Sequence, residues 1–131
     1  MDTNIEIKDS AEALAAIASI LIAADSVGRV EERNAVIERL KTTGALAGQE
    51  NAHIAALLGR VTGQLCERLP TTESGAFTPA AVGAVIEAVK PLLDRSARAE
   101  ALDLAEATAH ADSASPEEQA IVDRFRVAFA I

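Results

Sequence analysis

Ser115-Pro116-Glu117-Glu118-Gln119-Ala120-Ile121-Val122-Asp123-Arg124-Phe125 carries both the start and the face of a helix. Ser115 is suited to the cap and Pro116 to the first helical position, where its missing N–H is not needed. Glu118 closes a capping box, and both glutamates favour the positive end of the helix dipole. Ile121, Val122, Phe125 and Phe129 then recur at helical spacing and define an inward face. The same order of residue types occurs near the other end of the chain. Ala23-Ala24-Asp25-Ser26 is followed by Glu31-Glu32 and by Ala35-Val36-Ile37-Glu38-Arg39-Leu40. The second copy reads His110-Ala111-Asp112-Ser113, Glu117-Glu118, and Ala120-Ile121-Val122-Asp123-Arg124-Phe125. In each, a helix rich in small residues ends in Asp-Ser, a short turn follows, and a Glu-Glu pair opens an amphipathic helix. Asp25 and Asp112 are 87 residues apart, beyond the roughly 20–50 residue period of solenoids. The expected arrangement is therefore a pseudo-twofold duplication of one helix–turn–helix element, over about 10–42 and 97–130. The second turn is one residue shorter: Asp25 to Glu32 spans seven positions and Asp112 to Glu118 spans six.

Helical periodicity dominates between and before these elements, and no stretch alternates with the period of a strand. Asp9-Ser10-Ala11-Glu12 forms a capping box ahead of a helix with Leu14, Ile17, Leu21 and Ala24 on one stripe, widened by Ile20 and Ile22. That helix ends at the turn Asp25-Ser26-Val27-Gly28. A second helix is expected over about 30–41, with Val36, Ile37 and Leu40 inward and Gly44 as its stop. A third, over about 47–69, carries Ile54, Leu57, Leu58, Val61 and Leu65, and Gly59 and Gly63 are places where it could break. Residues 70–79 form the longest stretch of low helical propensity. Thr78-Pro79 then starts a helix with Val82, Val85, Ile86, Val89 and Leu93 on its face, which Pro91 ends or kinks. An Ala-rich helix carrying Leu102, Leu104 and Ala105 follows over about 97–111. The fold class is all-α: one compact bundle of six helices, or seven if the third breaks, in a single domain over 1–131.

Composition limits the function. Of 131 residues, half are hydrophobic and 29 are alanine, so the core is aliphatic and finely grained. The net charge is −8, with 20 acidic against 12 basic residues, and there is no Trp or Tyr and only three Phe. Nucleic-acid binding is not expected, because its affinity rests on Lys and Arg neutralising phosphates and on aromatic stacking. The longest apolar run, 13–24, is short of the ~20 residues that cross a bilayer, so no membrane insertion is expected. The acidic N-terminus lacks the basic segment of a signal peptide, and a lone cysteine, Cys66, forms no intrachain disulfide. Cys66 is expected to be a small core side chain. The expected location is the cytoplasm.

The doubled pattern of Ala-Asp, turn, Glu-Glu and amphipathic helix resembles the TerB-like (tellurite resistance) domain, over about residues 14–40 and 102–129. The resemblance implies a cytoplasmic domain of tellurite-resistance and stress-response systems that acts through protein partners and whose acidic turns bind divalent cations. Carried onto this chain, the metal ligands are Asp25, Glu31 and Glu32 in one turn and Asp112, Glu117 and Glu118 in the other. The family's Gly after each Asp is replaced by Ser26 and Ser113.

The chemistry fits such a role. All-carboxylate sites suit Ca²⁺, Mg²⁺ or Mn²⁺, and carboxylates brought together without a cation repel one another. The alternative is that the same glutamates serve as first-turn residues stabilising their helices, by about 0.3–1 kcal/mol each, in an interaction module that has lost its metal. Glu50-Asn51-Ala52-His53 matches the Glu-x-x-His unit of di-iron bundles, but such a site needs a second copy and there is none. His110 could add an imidazole to the second acidic turn. No phosphate loop, nucleophile elbow or Cys-x-x-Cys pair is present, so no catalytic residue, no organic cofactor and no enzymatic activity are expected. The exposed faces of the helix over 97–111 and of the last helix offer a surface for a homodimer.

Overall fold

The computed structural model describes residues 7–24, 29–42, 46–72, 77–110 and 116–129, with the backbone alone at 24, 29–33, 35, 108–110, 117 and 118. Six α-helices follow in order: α1 Ser10–Ala24, α2 Arg29–Leu40, α3 Asn51–Arg68, α4 Pro79–Val89, α5 Arg95–His110 and α6 Pro116–Ala128. There is no β-strand among the described residues, only an isolated antiparallel bridge between Thr71 and Phe77.

Local signals set most of the helix ends. The Glu12 N–H donates to Asp9 Oδ1 at 2.9 Å, so Asp9 caps α1 as its position implies. Glu12 reaches back one residue further than the usual box, its Oε1 accepting from the Lys8 N–H at 3.0 Å. At α4 the Thr78 hydroxyl accepts from the Ala81 N–H at 3.2 Å and Pro79 takes the first position. Pro91 ends α4 by converting its last residues into a 3-10 turn, Lys90–Leu92.

Two helices start elsewhere than the pattern predicts. α3 begins at Asn51 rather than near 47, because Gly48 has φ of 83° and Glu50 is extended. This left-handed backbone turns the Gly48 N–H onto the Lys41 carbonyl at 2.9 Å. α5 begins two residues early because Asp94 caps it, Oδ1 accepting from the Ala97 N–H at 2.8 Å. Gly59 and Gly63 do not break α3, which is continuous through both. The stop assigned to Gly44 and the cap assigned to Ser115 lie outside the described residues.

α1 departs most from its expected form. Every residue from Ala13 to Leu21 is buried, including Ser19, so the helix has no solvent stripe there. It packs on all five other helices. A helix apolar all round is stable only when enclosed, and its alanines let neighbours approach on every side. The one polar side chain inside is satisfied: Ser19 Oγ donates to the Ala15 carbonyl at 2.8 Å and lies 2.6 Å from Thr62 Oγ1 of α3. The other faces read from the sequence are buried as expected: Val36, Ile37 and Leu40 of α2; the five residues of α3; Val82, Val85, Ile86 and Val89 of α4. In α6 the same holds for Ile121, Val122, Phe125 and Phe129, with the two Phe rings 5.4 Å apart. Residues of all six helices join one hydrophobic cluster, and Phe77 brings the segment after α3 into it.

Helix neighbours follow a rule. α1 packs on α2 and α5 on α6; α2 also packs on α5 and α1 on α6; and α1 and α5 pack on each other. Exchanging α1 with α5 and α2 with α6 leaves this set unchanged. α3 and α4 break it, since both pack on α1 and neither makes comparable packing on α5 among the described residues. Hence α1 is enclosed while Asp103 of α5 stays exposed and Glu106 half-exposed.

Candidate functional site

Glu31 and Glu32 fall in the first turn of α2, and Glu117 and Glu118 in the first turn of α6. This is where the sequence places them, directly after the segments that follow α1 and α5. Asp25 and Asp112, with the turns that carry them, lie outside the described residues, as do the side chains of Glu31, Glu32, Glu117, Glu118 and His110. Among the described residues no group of three or more His, Cys, Asp or Glu side chains is arranged to hold a metal ion.

The described charged groups form small, exposed clusters. Arg126 of α6 is the best connected: its Nη2 lies 2.8 Å from Glu106 Oε1 on α5, and its Nη1 lies 2.8 Å from Asp123 Oδ1 one turn back. Hydrogen bonding to Glu106 is the largest influence on the Arg126 pKa and raises it; desolvation, the next largest, opposes the rise, and the charges of Glu106 and Asp123 add to it. The cluster ties α5 to α6 on the solvent side, while Phe125 and Phe129 are buried in the core. Glu12 links α1 to α3 in the same way, its Oε2 lying 3.3 Å from Arg60 Nη2. A polar cleft of about 260 Å³ lies where the end of α2 meets α5, lined by Arg39, Thr42, Glu100, Asp103 and Leu104.

Three residues singled out by the sequence stand in plain view. Cys66 is exposed on α3, contrary to the expected core position. It directly follows buried Leu65, one step off the Ile54, Leu58, Val61 and Leu65 face, and helical geometry turns it outward. Glu50 and His53 are exposed at the start of α3, so the Glu-x-x-His unit does not project into the bundle core as a di-iron site requires.

Sequence reasoning missed Glu106 and Arg124. Arg124 of α6 crosses to the start of α4, Nη1 donating to the Pro79 carbonyl at 2.6 Å. Its other amino group lies 3.0 Å from where a side chain would begin at Gly83. The Asp123–Arg126 spacing is readable as a helical ion pair, but its extension to Glu106, 20 residues away, depends on how α5 and α6 pack. No family model matches the chain, and neither does any curated protein or solved structure.

Proposed function

We propose that this chain is a TerB-like helical domain, without catalytic activity, that binds a divalent cation (Ca²⁺, Mg²⁺ or Mn²⁺) and passes its occupancy to protein partners in a cytoplasmic tellurite-resistance or stress response. The ligands are Asp25, Glu31, Glu32, Asp112, Glu117 and Glu118. The observation that carries the reading is the exchange rule among the helices. The packing partners of α1–α2 and α5–α6 correspond under that exchange, and each Glu-Glu pair stands in the first turn of the second helix of its pair. The burial pattern adds support: Val36, Ile37 and Leu40 match Ile121, Val122 and Phe125 inward, while Glu38 and Asp123 match outward. If a pseudo-twofold axis brings the two acidic turns together, their carboxylates would repel one another until a hard cation relieves them.

Isothermal titration of metal-stripped protein tests the reading, with Asp25→Ala/Asp112→Ala as control. Saturable heat and a metal-dependent rise in melting temperature are expected, both lost in the double variant. If no cation gives heat and chelation leaves the melting temperature unchanged, the second reading stands. In it, the same fold is a protein-interaction module whose acidic pairs only stabilise their helices. Ser26 and Ser113 in place of glycine, and the shortened second turn, favour that alternative.

A further inference from the structure

α4 and α6 together form an outward-facing groove of about 410 Å³, lined by Gly83, Ile86 and Glu87 on one wall and Arg124, Val127 and Ala128 on the other. Val127 is 78% exposed and is the one large hydrophobic side chain exposed among the described residues. The two walls differ in charge. Glu87 is exposed and has no ion pair or hydrogen bond among the described residues. Arg124 spends its described hydrogen bond on a neutral acceptor, the Pro79 carbonyl, so its positive charge faces no described carboxylate within ion-pair distance. Asp123, at the same groove, is already neutralised by Arg126 at 2.8 Å.

We propose that this face is a twofold interface between two copies of the chain, each Val127 seated in the other copy's groove and each Glu87 meeting the partner's Arg124. The charge pattern selects this occupant. A uniformly basic partner would set like charge against Arg124, and a uniformly acidic one against Glu87. A second copy related by a twofold axis presents one charge of each sign in the crossed order that satisfies both, together with an apolar side chain for the floor. The seven residues that line the groove are few beside the roughly 20–30 residues a side of a stable interface, so the dimer is a weak, rapidly exchanging one. This inference is independent of cation binding, since none of its residues belongs to the acidic turns.

Analytical ultracentrifugation over a concentration series tests it. The wild-type chain should show a reversible monomer–dimer equilibrium. Val127→Glu, at an exposed position, should raise the dissociation constant about tenfold or more by placing an unpaired charge on the apolar floor. Glu87→Arg and Arg124→Glu should each weaken the dimer, and the double charge swap should recover it at least in part. Arg124→Glu also removes the bond to Pro79, so thermal melts accompany each variant, and Glu87→Arg alone carries the test should Arg124→Glu unfold. A monomer at every concentration overturns the proposal. So does a dimer indifferent to Val127→Glu, or a swap no better than its single changes.

Discussion

The hydroxyl oxygens of Ser19 and Thr62 lie 2.6 Å apart where α1 passes α3. Ser19 has one proton, and the Ala15 carbonyl at 2.8 Å takes it, so Thr62 is the donor between the hydroxyls. This is the only polar side-chain link inside the apolar sleeve around α1 among the described residues. It marks one register of α1 against α3 in a contact that alanines and aliphatics would otherwise leave tolerant of sliding.

Thr62→Val should cost about 0.5–1 kcal/mol, because Ser19 keeps its bond to Ala15. Ser19→Ala should cost about 1 kcal/mol, leaving a half-buried Thr62 hydroxyl to find water. The double variant should lose less than the total of the two, with a coupling of about 0.5–1 kcal/mol. Urea unfolding of the four proteins gives that coupling directly. A value near zero would show that the 2.6 Å contact contributes nothing to stability.

The all-round burial of α1 predicts opposite errors with similar penalties. Ile17→Ala should destabilise by about 2–5 kcal/mol, because Ile17 is fully buried and its neighbours are held by five other helices. Ala16→Leu should cost about 1–3 kcal/mol from overpacking, although leucine is an excellent helix former. On a one-sided amphipathic helix the second change would be neutral at an outward position. Denaturation midpoints of the two variants therefore discriminate an enclosed α1 from a striped one.

The glycines divide by backbone. Gly59→Ala and Gly63→Ala should each stabilise by about 0.5–1 kcal/mol, since both lie within α3 with nothing within 4 Å of an added Cβ. Gly48→Ala should destabilise by about 1–2 kcal/mol despite equally open space, because φ is 83° there. Gly83→Ala should fall between them: the new Cβ would meet Arg124 Nη2 at 3.0 Å, but the guanidinium is the movable end of a flexible chain. Melting temperatures ordered Gly63→Ala, Gly83→Ala, Gly48→Ala from highest to lowest are the expected result.

Much of this fold was legible because its signals are local. Asp9, Thr78-Pro79 and Pro91 act on backbone groups three or four residues away, and the faces of α2, α3, α4 and α6 follow from spacing alone. α1 was misread because alanine carries no side information: it fits a solvent face and a close helix contact equally. Gly48 lies in a helical pattern whose apolar positions do not distinguish a turn from the first turn of a helix. Cys66 follows the same spacing that turns Leu65 inward: the next position along α3 faces out, whatever its residue type. For the candidate site, the sequence names six carboxylates in two corresponding turns. Whether they meet depends on crossing angles between helices far apart in the chain, which no local signal encodes.

The caps on α4 and α5 give the last test, because one was read from sequence and the other was not. Thr78 and Asp94 make the same bond, a side-chain oxygen accepting from the N–H three residues on, at 3.2 and 2.8 Å. If the bond rather than the motif matters, Thr78→Ala and Asp94→Ala should each destabilise by about 1 kcal/mol. Thr78→Ser and Asp94→Asn should retain most of the stability, since serine and asparagine are also strong caps. Asp94 has a further role: it fixes the start of α5 just after the 3-10 turn, where Arg98 Nη2 donates to the Lys90 carbonyl at 2.8 Å. Asp94→Ala should therefore loosen that connection as well, seen as faster amide exchange at Ala97 and Arg98 than Thr78→Ala produces at Ala81 and Val82. Equal exchange at the two sites would mean that the Arg98 bond holds α5 without its cap.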